Sequence, residues 1–125
     1  MYLKYKEVFD NPKYYNQTTG EINWPANDGF LSTPTDEVLQ VGTRIDRHGY
    51  DSGSFTSPEG TPYEMRALAP STDMKPYSVF EVVKPLEVKA GEIAPWFDEP
   101  GGGIQYLLPE SIEDLLEEGI IRRIE

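Results

Sequence analysis

Cysteine is absent from the chain, and histidine occurs once, as His48. The first absence removes disulfides and thiolate metal sites and leaves the redox compartment open. The second rules out a multi-histidine metal site. Basic residues are scarce too: 11 Lys and Arg face 22 Asp and Glu, for a formal charge of −11. So acidic a surface opposes any sequence-independent grip on phosphate backbones or anionic lipid, and nucleic acid is not an expected partner. It would suit a basic protein partner. No apolar run comes near the roughly 20 residues that cross a bilayer, and Met1 to Asp10 lacks a signal-peptide core. The chain is expected to be soluble, without membrane insertion of its own, with any export signal on a parent polypeptide or on other machinery.

What is present fits one globular domain over residues 1–125, with hydrophobic residues at 38% and with 11 Gly and 11 Pro marking many turns. The first 43 residues show little periodicity and read as irregular, with a short helix before Asn11. Residues 78–83, "SVFEVV", and then "LEVKAGEIA" after Pro85 alternate apolar and polar positions with β-branched enrichment, which predicts two consecutive strands joined at a bend. "GIQYLLP" reads as a further short strand with Gln105 and Leu107 on one face. One helix is well specified over about 111–118: Ser111 caps, Ile112, Leu115 and Leu116 form a stripe, and Gly119 stops it before a final strand in "IIRRI". The expected fold is α+β, a small antiparallel sheet or open barrel with that one clear helix. The loops at 50–62 and 95–103 are its candidate functional segments.

Within residues 44–70, Arg47, Arg66 and Phe55 could line a cleft, with guanidinium forks for phosphate and an aromatic plane for a heteroaromatic ring. Arg47 could equally pair with Asp46 or another surface carboxylate. Asp46 and His48 resemble a proton-relay pair, but no nucleophile is specified beside them, and His48 reads better as a half-buried aromatic in a turn. Three glycines at 101–103 open backbone conformations closed to other residues and let a ligand approach the main chain. They lack a phosphate-loop fingerprint, since no Lys-Ser/Thr follows. Beyond them Gln105 offers an uncharged amide that can bond a sugar hydroxyl as both donor and acceptor. Trp24 and Trp96 are assigned to anchoring loops on the core, at positions that can also border a pocket.

Taken together, "WPANDGF" (24–30), "GTRIDRHGYDSGSF" (42–55), "SPEGTPYEMRAL" (57–68), "VVKPLEVKAGEIAPWFDEPGGGIQY" (82–106) and "LLEEGIIRRI" (115–124) resemble the TNT domain, the family named after the tuberculosis necrotizing toxin and shared with fungal surface NADases. The likeness spans about residues 24–124. It implies a metal-independent NAD(P)+ glycohydrolase with a compact β-rich fold and no cofactor beyond its substrate. By motif it assigns Gln105 and Arg47 to catalysis and Arg66, Phe55, His48, Gly102 and Gly103 to substrate binding. Two positions depart from the pattern: His48 stands where phenylalanine is usual, and Ser78 falls where some members have a catalytic histidine.

The chemistry agrees with such a site. Nicotinamide in NAD+ is a cationic pyridinium that leaves as a neutral amide and needs no proton, unlike an ordinary glycoside. Arg47 and Arg66 are then expected on the diphosphate, Phe55 on the nicotinamide side, and Gln105 on the ribose hydroxyl or attacking water. The resemblance further implies a toxin module of a secreted bacterial effector, delivered into a target-cell cytoplasm and neutralised by an immunity protein. Alternatives from other classes are a catalytically silent binding domain and an ADP-ribosyltransferase. The latter usually carries Glu-x-Glu, whose spacing "LEEG" at 116–119 lacks.

Overall fold

The computed structural model describes residues 8, 10–19, 21–24, 27–68, 72 and 75–124. The short helix expected before Asn11 lies outside the described residues. Seven strands form one sheet: β1 (Thr35–Leu39), β2 (Arg44–His48), β3 (Phe55–Pro58), β4 (Tyr77–Val82), β5 (Leu86–Glu92), β6 (Ile104–Leu107) and β7 (Ile121–Arg123). Their spatial order is β1-β5-β6-β3-β2-β4-β7, and every pairing is antiparallel. The α+β architecture and the strands expected around 78–83, 86–92, 104–107 and 121–123 are all found.

The middle of the sheet is held by β3, which divides its short length between two neighbours. Phe55 and Thr56 pair with Leu107 and Tyr106 of β6, whereas Ser57 and Pro58 pair with Asp46 and Ile45 of β2. The two strong strands β4 and β5 are consecutive in sequence but do not pair with each other. The bend at 83–85 carries the chain from one half of the sheet to the other, where β5 lies between β1 and β6. Helix α1 (Ile112–Glu117) starts as its sequence demands, with the Ser111 hydroxyl accepting from the Asp114 N–H at 3.2 Å. Beyond it Gly119 takes a left-handed φ of 72° and turns the chain into β7.

The helix buries Ile112 and Leu115 against Ile45, Phe80, Val82 and Ile121, which closes the main core with Leu39, Leu86, Val88 and Leu108. A second apolar cluster of Val8, Tyr14, Tyr15 and Phe97, flanked by Ile22 and Trp96, fastens the N-terminal segment to the loop after β5. Ring contacts of Tyr14 with Trp96 at 5.2 Å and with Phe97 at 5.5 Å hold it there.

Three strands depart from the sequence reading. Residues expected to be irregular contain β1, an edge strand whose Thr35, Asp36, Glu37 and Val38 are all exposed, so burial imposes no alternation on it. The stretch where His48 was expected in a turn contains β2, and the loop expected at 50–62 contains β3. Both carry buried polar residues, Asp46, Thr56 and Ser57, in place of an apolar pattern, and Asp46 and Thr56 are satisfied by hydrogen bonds.

Candidate active site

A cavity of about 500 Å³ opens between the β2–β3 half of the sheet and a wall that includes Trp24, Asp28, Gly29, Ile93, Ala94 and Phe97. Arg47, His48, Phe55, Arg66 and Gln105 all line it, so five of the residues singled out from sequence meet around one space. Gly102 and Gly103 are not among its lining residues. Here the glycine run serves the packing of the chain against itself. Gly102 donates to the Ile93 carbonyl at 2.8 Å and Gly103 to the Met65 carbonyl at 3.0 Å. A Cβ on Gly101 would stand 2.6 Å from the Ile93 carbonyl oxygen, and one on Gly103 would stand 2.8 Å from Thr61. Glycine lets the 93–94 segment and the 3₁₀ turn Tyr63–Arg66 approach the chain ahead of β6 from both sides.

Backbone strain concentrates at this cavity. Among the described residues, the non-glycine positions with positive φ are Asn27, Asp28, Ala67, Phe97 and Asp98. Asp28, Ala67 and Phe97 line the cavity, and the other two are chain neighbours of these. Left-handed backbone of this kind persists where surrounding structure enforces it, and it collects at working sites. The enforcement is visible: Ala94 N–H bonds the Gly29 carbonyl at 2.8 Å, Asn27 Nδ2 bonds the Ser32 carbonyl at 3.0 Å, and Gln105 Nε2 bonds the Asp28 carbonyl at 2.9 Å. Gln105 is thus fixed by its donor end, and its acceptor Oε1 has no partner among the described residues.

The two arginines differ in how far they are committed. Arg66 is buried and bidentate on Asp46, at 2.6 Å to Oδ1 and 2.9 Å to Oδ2, while Nε and Nη2 also donate to the Thr61 carbonyl at 3.0 and 2.7 Å. Only one Nη1 hydrogen is left over. Asp46, with 0% exposure, accepts as well from the Gly60 N–H at 2.9 Å and the Tyr77 hydroxyl at 2.7 Å. The carboxylate partner foreseen for Arg47 therefore belongs to Arg66. Arg47 instead donates from Nε to the Tyr50 carbonyl at 2.9 Å and from Nη1 to the Phe55 carbonyl at 2.8 Å, with Nη2 unbonded among the described residues. Burial lowers its pKa and Asp51 counteracts this. Its guanidinium lies so tightly against Gly53 that a Cβ there would stand 1.9 Å from Nη2.

His48 ends β2 half-buried, its ring 5.1 Å from Tyr63 and 4.7 Å from Tyr77. Burial pushes its pKa below the ordinary value and Arg66 pushes it further, against a smaller upward pull from Asp46. The lowered value favours the neutral ring at neutral pH, and the residue sits at a strand end and not in the turn expected from sequence. Ser78 does not join the site: its hydroxyl accepts from Arg123 Nη1 at 2.6 Å. Trp96 anchors a loop, bonding the Asn23 carbonyl through Nε1 at 2.9 Å, but Trp24 is 66% exposed at the cavity. Asp28, Lys75 and Phe97 also line the cavity without having been singled out from sequence. "WPANDGF" was the one signal for the first of these, as a motif without a role.

A preformed cavity of this size, lined by aromatic and cationic side chains on an antiparallel scaffold, has the dimensions and lining of a small-molecule site. The chain belongs to the tuberculosis necrotizing toxin family, whose model matches residues 38–124. It is 37% identical, over 113 residues, to the conidial surface nicotinamide adenine dinucleotide glycohydrolase nadA of Aspergillus fumigatus, covering 81% of this chain and 48% of that protein. It is 26% identical to the outer membrane channel protein CpnT of Mycobacterium tuberculosis, covering 96% of this chain and 16% of that one. The chain thus spans about half, or far less, of these relatives. Its fold is similar to that of tuberculosis necrotizing toxin in complex with its immunity factor IFT, with a TM-score of 0.72 at 23% identity over 98% of this chain and 70% of that one.

Proposed function

We propose that this chain is a single catalytic domain that hydrolyses the nicotinamide–ribose bond of NAD(P)+, releasing nicotinamide and ADP-ribose. The observation that carries the reading is the meeting of Gln105, Arg47, Arg66, Phe55 and His48 around one cavity, in a chain similar to a named nicotinamide adenine dinucleotide glycohydrolase. Arg47, through its unbonded Nη2, holds the diphosphate, and Arg66 adds its single remaining N–H from a neutralised pair. Phe55 offers an aromatic face to a base. Gln105, clamped at its donor end, presents Oε1 to a ribose hydroxyl or to the attacking water.

The bond between C1′ and the ring nitrogen breaks with its electron pair passing to the nitrogen, so the departing nicotinamide is neutral. Water oxygen bonds to C1′ and one water proton is released to solvent. No general acid is required for departure. What the protein supplies is orientation and a fixed electrostatic setting for the oxocarbenium-like sugar.

By the same reading the domain is the toxin module of a secreted effector. It acts in the cytoplasm of a target cell and is restrained in its producer by an immunity protein, a reading supported by the complex of the necrotizing toxin with its immunity factor IFT. Incubation of the domain with NAD+, following nicotinamide, free ADP-ribose and protein-attached ADP-ribose, tests the chemistry. Nicotinamide and free ADP-ribose in equal amounts are expected. Protein-attached ADP-ribose would indicate a transferase, and intact NAD+ would leave a silent binding domain. Gln105→Ala is expected to lower turnover by about a hundredfold or more with a melting temperature near that of the parent. Cleavage at the parental rate would refute the role given to the amide.

A further inference from the structure

The walls of the cavity have opposite electrical character. On one, Arg47 is bonded to the Tyr50 and Phe55 carbonyls, and the Lys75 ammonium stands 6.0 Å from the Tyr50 ring, so the cations gather with Phe55. The other holds Trp24, Asp28 and Gly29 with Ile93, Ala94 and Phe97, joined by the Ala94-to-Gly29 hydrogen bond and by the Trp24–Phe97 ring contact, 6.0 Å at 89°. Its lining holds one ionisable side chain, Asp28, whose carboxylate has no partner among the described residues. It also holds Trp24, an exposed indole with no hydrogen bond among those residues. Trp96 is built into the second apolar cluster and Trp24 is not. An indole left open in water, lining the same cavity as an unpaired carboxylate on strained backbone at Asp28, calls for a ligand that satisfies both.

We propose that Trp24 and Asp28 form the seat of the cationic pyridinium ring of the dinucleotide. The proposal rests on the glycohydrolase reading and specifies how the substrate lies. A pyridinium is repelled by Arg47 and Lys75 and attracted to an indole face and a carboxylate, while a diphosphate has the reverse preference. The opposite charges on the substrate's two parts therefore set its direction in the cavity. Gln105 is bonded to the Asp28 backbone, so the scissile bond falls at the same end as the amide that serves it. As the bond breaks, positive charge moves from the ring to C1′, and the carboxylate remains beside it. The nicotinamide, now neutral, loses its attraction to the seat and can leave. Phe55, expected from sequence on the nicotinamide side, is on the wall with Arg47 and under this proposal is left for the adenine.

Asp28→Asn isolates the charge, because Asn tolerates the left-handed backbone at φ 53° and keeps the carbonyl that receives Gln105. The expected result is a KM for NAD+ raised about tenfold, with inhibition by ADP-ribose, which lacks the pyridinium, unchanged within about twofold. In a Trp96→Phe protein, where Trp24 is the remaining indole, 1-methylnicotinamide should quench fluorescence saturably and more strongly than neutral nicotinamide. Trp24→Ala should weaken NAD+ more than ADP-ribose. An unaltered KM in Asp28→Asn, or equal weakening of NAD+ and ADP-ribose, would overturn the seat. Saturable quenching by 1-methylnicotinamide in a protein that never cleaves NAD+ would support the seat and overturn the glycohydrolase reading instead.

Discussion

Replacing Arg66 separates two accounts of that residue, a substrate contact and a structural counter-charge. In the folded chain its guanidinium and the Asp46 carboxylate are 5% and 0% exposed, and they face each other at 2.6 Å. Arg66→Met keeps much of the apolar stem but strands the carboxylate with only the Gly60 N–H and Tyr77 hydroxyl as donors. Breaking one side of a buried pair costs about 3–5 kcal/mol, against a total stability of roughly 5–15 kcal/mol. At about 4 °C per kcal/mol for a domain of this length, the melting temperature should fall by roughly 10–20 °C. A double variant, Asp46→Leu with Arg66→Met, removes both charges and should recover at least half of that loss. Thermal unfolding followed by far-UV circular dichroism at neutral pH measures all three proteins. A single variant melting within about 2 °C of the parent, yet bound weakly by NAD+, would refute the structural account and leave Arg66 as a substrate contact alone.

Three further perturbations test neighbouring parts of the site. Gly53→Ala places a methyl group where Arg47 now packs, and the obstructed atoms are the end of a flexible side chain. Turnover should fall about tenfold or more as Arg47 leaves its seat, with little change in melting temperature; parental kinetics would show that this placement of Arg47 does not matter. Burial, followed by the hydrogen bond to Asp46, pushes the Tyr77 pKa up to about 12. Its contribution to stability is therefore full below pH 10 and lost as pH rises from 10 through 12. Tyr77→Phe should be less steeply destabilised across that range than the parent, and identical alkaline unfolding profiles would contradict this. His48 is depressed by burial and by Arg66, so its contribution is present above pH 6.5 and lost as pH falls through its lowered folded value. His48→Phe should flatten the acid side of the stability profile and leave pH 7–8 untouched; the opposite slope would refute the assignment.

How much of this was legible in the chain follows from which residues report their surroundings. β4 and β5 could be read because their buried faces, such as Val79, Phe80 and Val82 or Leu86, Val88 and Ala90, are apolar where the chain turns inward. Helix α1 could be read because Ser111 and Gly119 mark its ends chemically. β2 could not, since its centre is Asp46, buried for the sake of Arg66 twenty residues later. A partner that distant leaves no local pattern. The same limit applies to the cavity. Arginines and a glutamine could be suspected from their chemistry, but a commitment such as Arg66 to Asp46 exists only after β2 and the 63–66 turn have met. The glycines at 101–103 show the converse, a visible local signal whose reason is remote: main chain from 93–94 and from Met65 crowds them on both sides. Trp24 was visible too, but only its exposure at the cavity distinguishes it from Trp96, which is anchored in the second core. Exposure is fixed by whatever the rest of the chain fails to cover. For that reason the wall facing the arginines, rather than the arginines themselves, is where the folded structure adds most to the reading of the site.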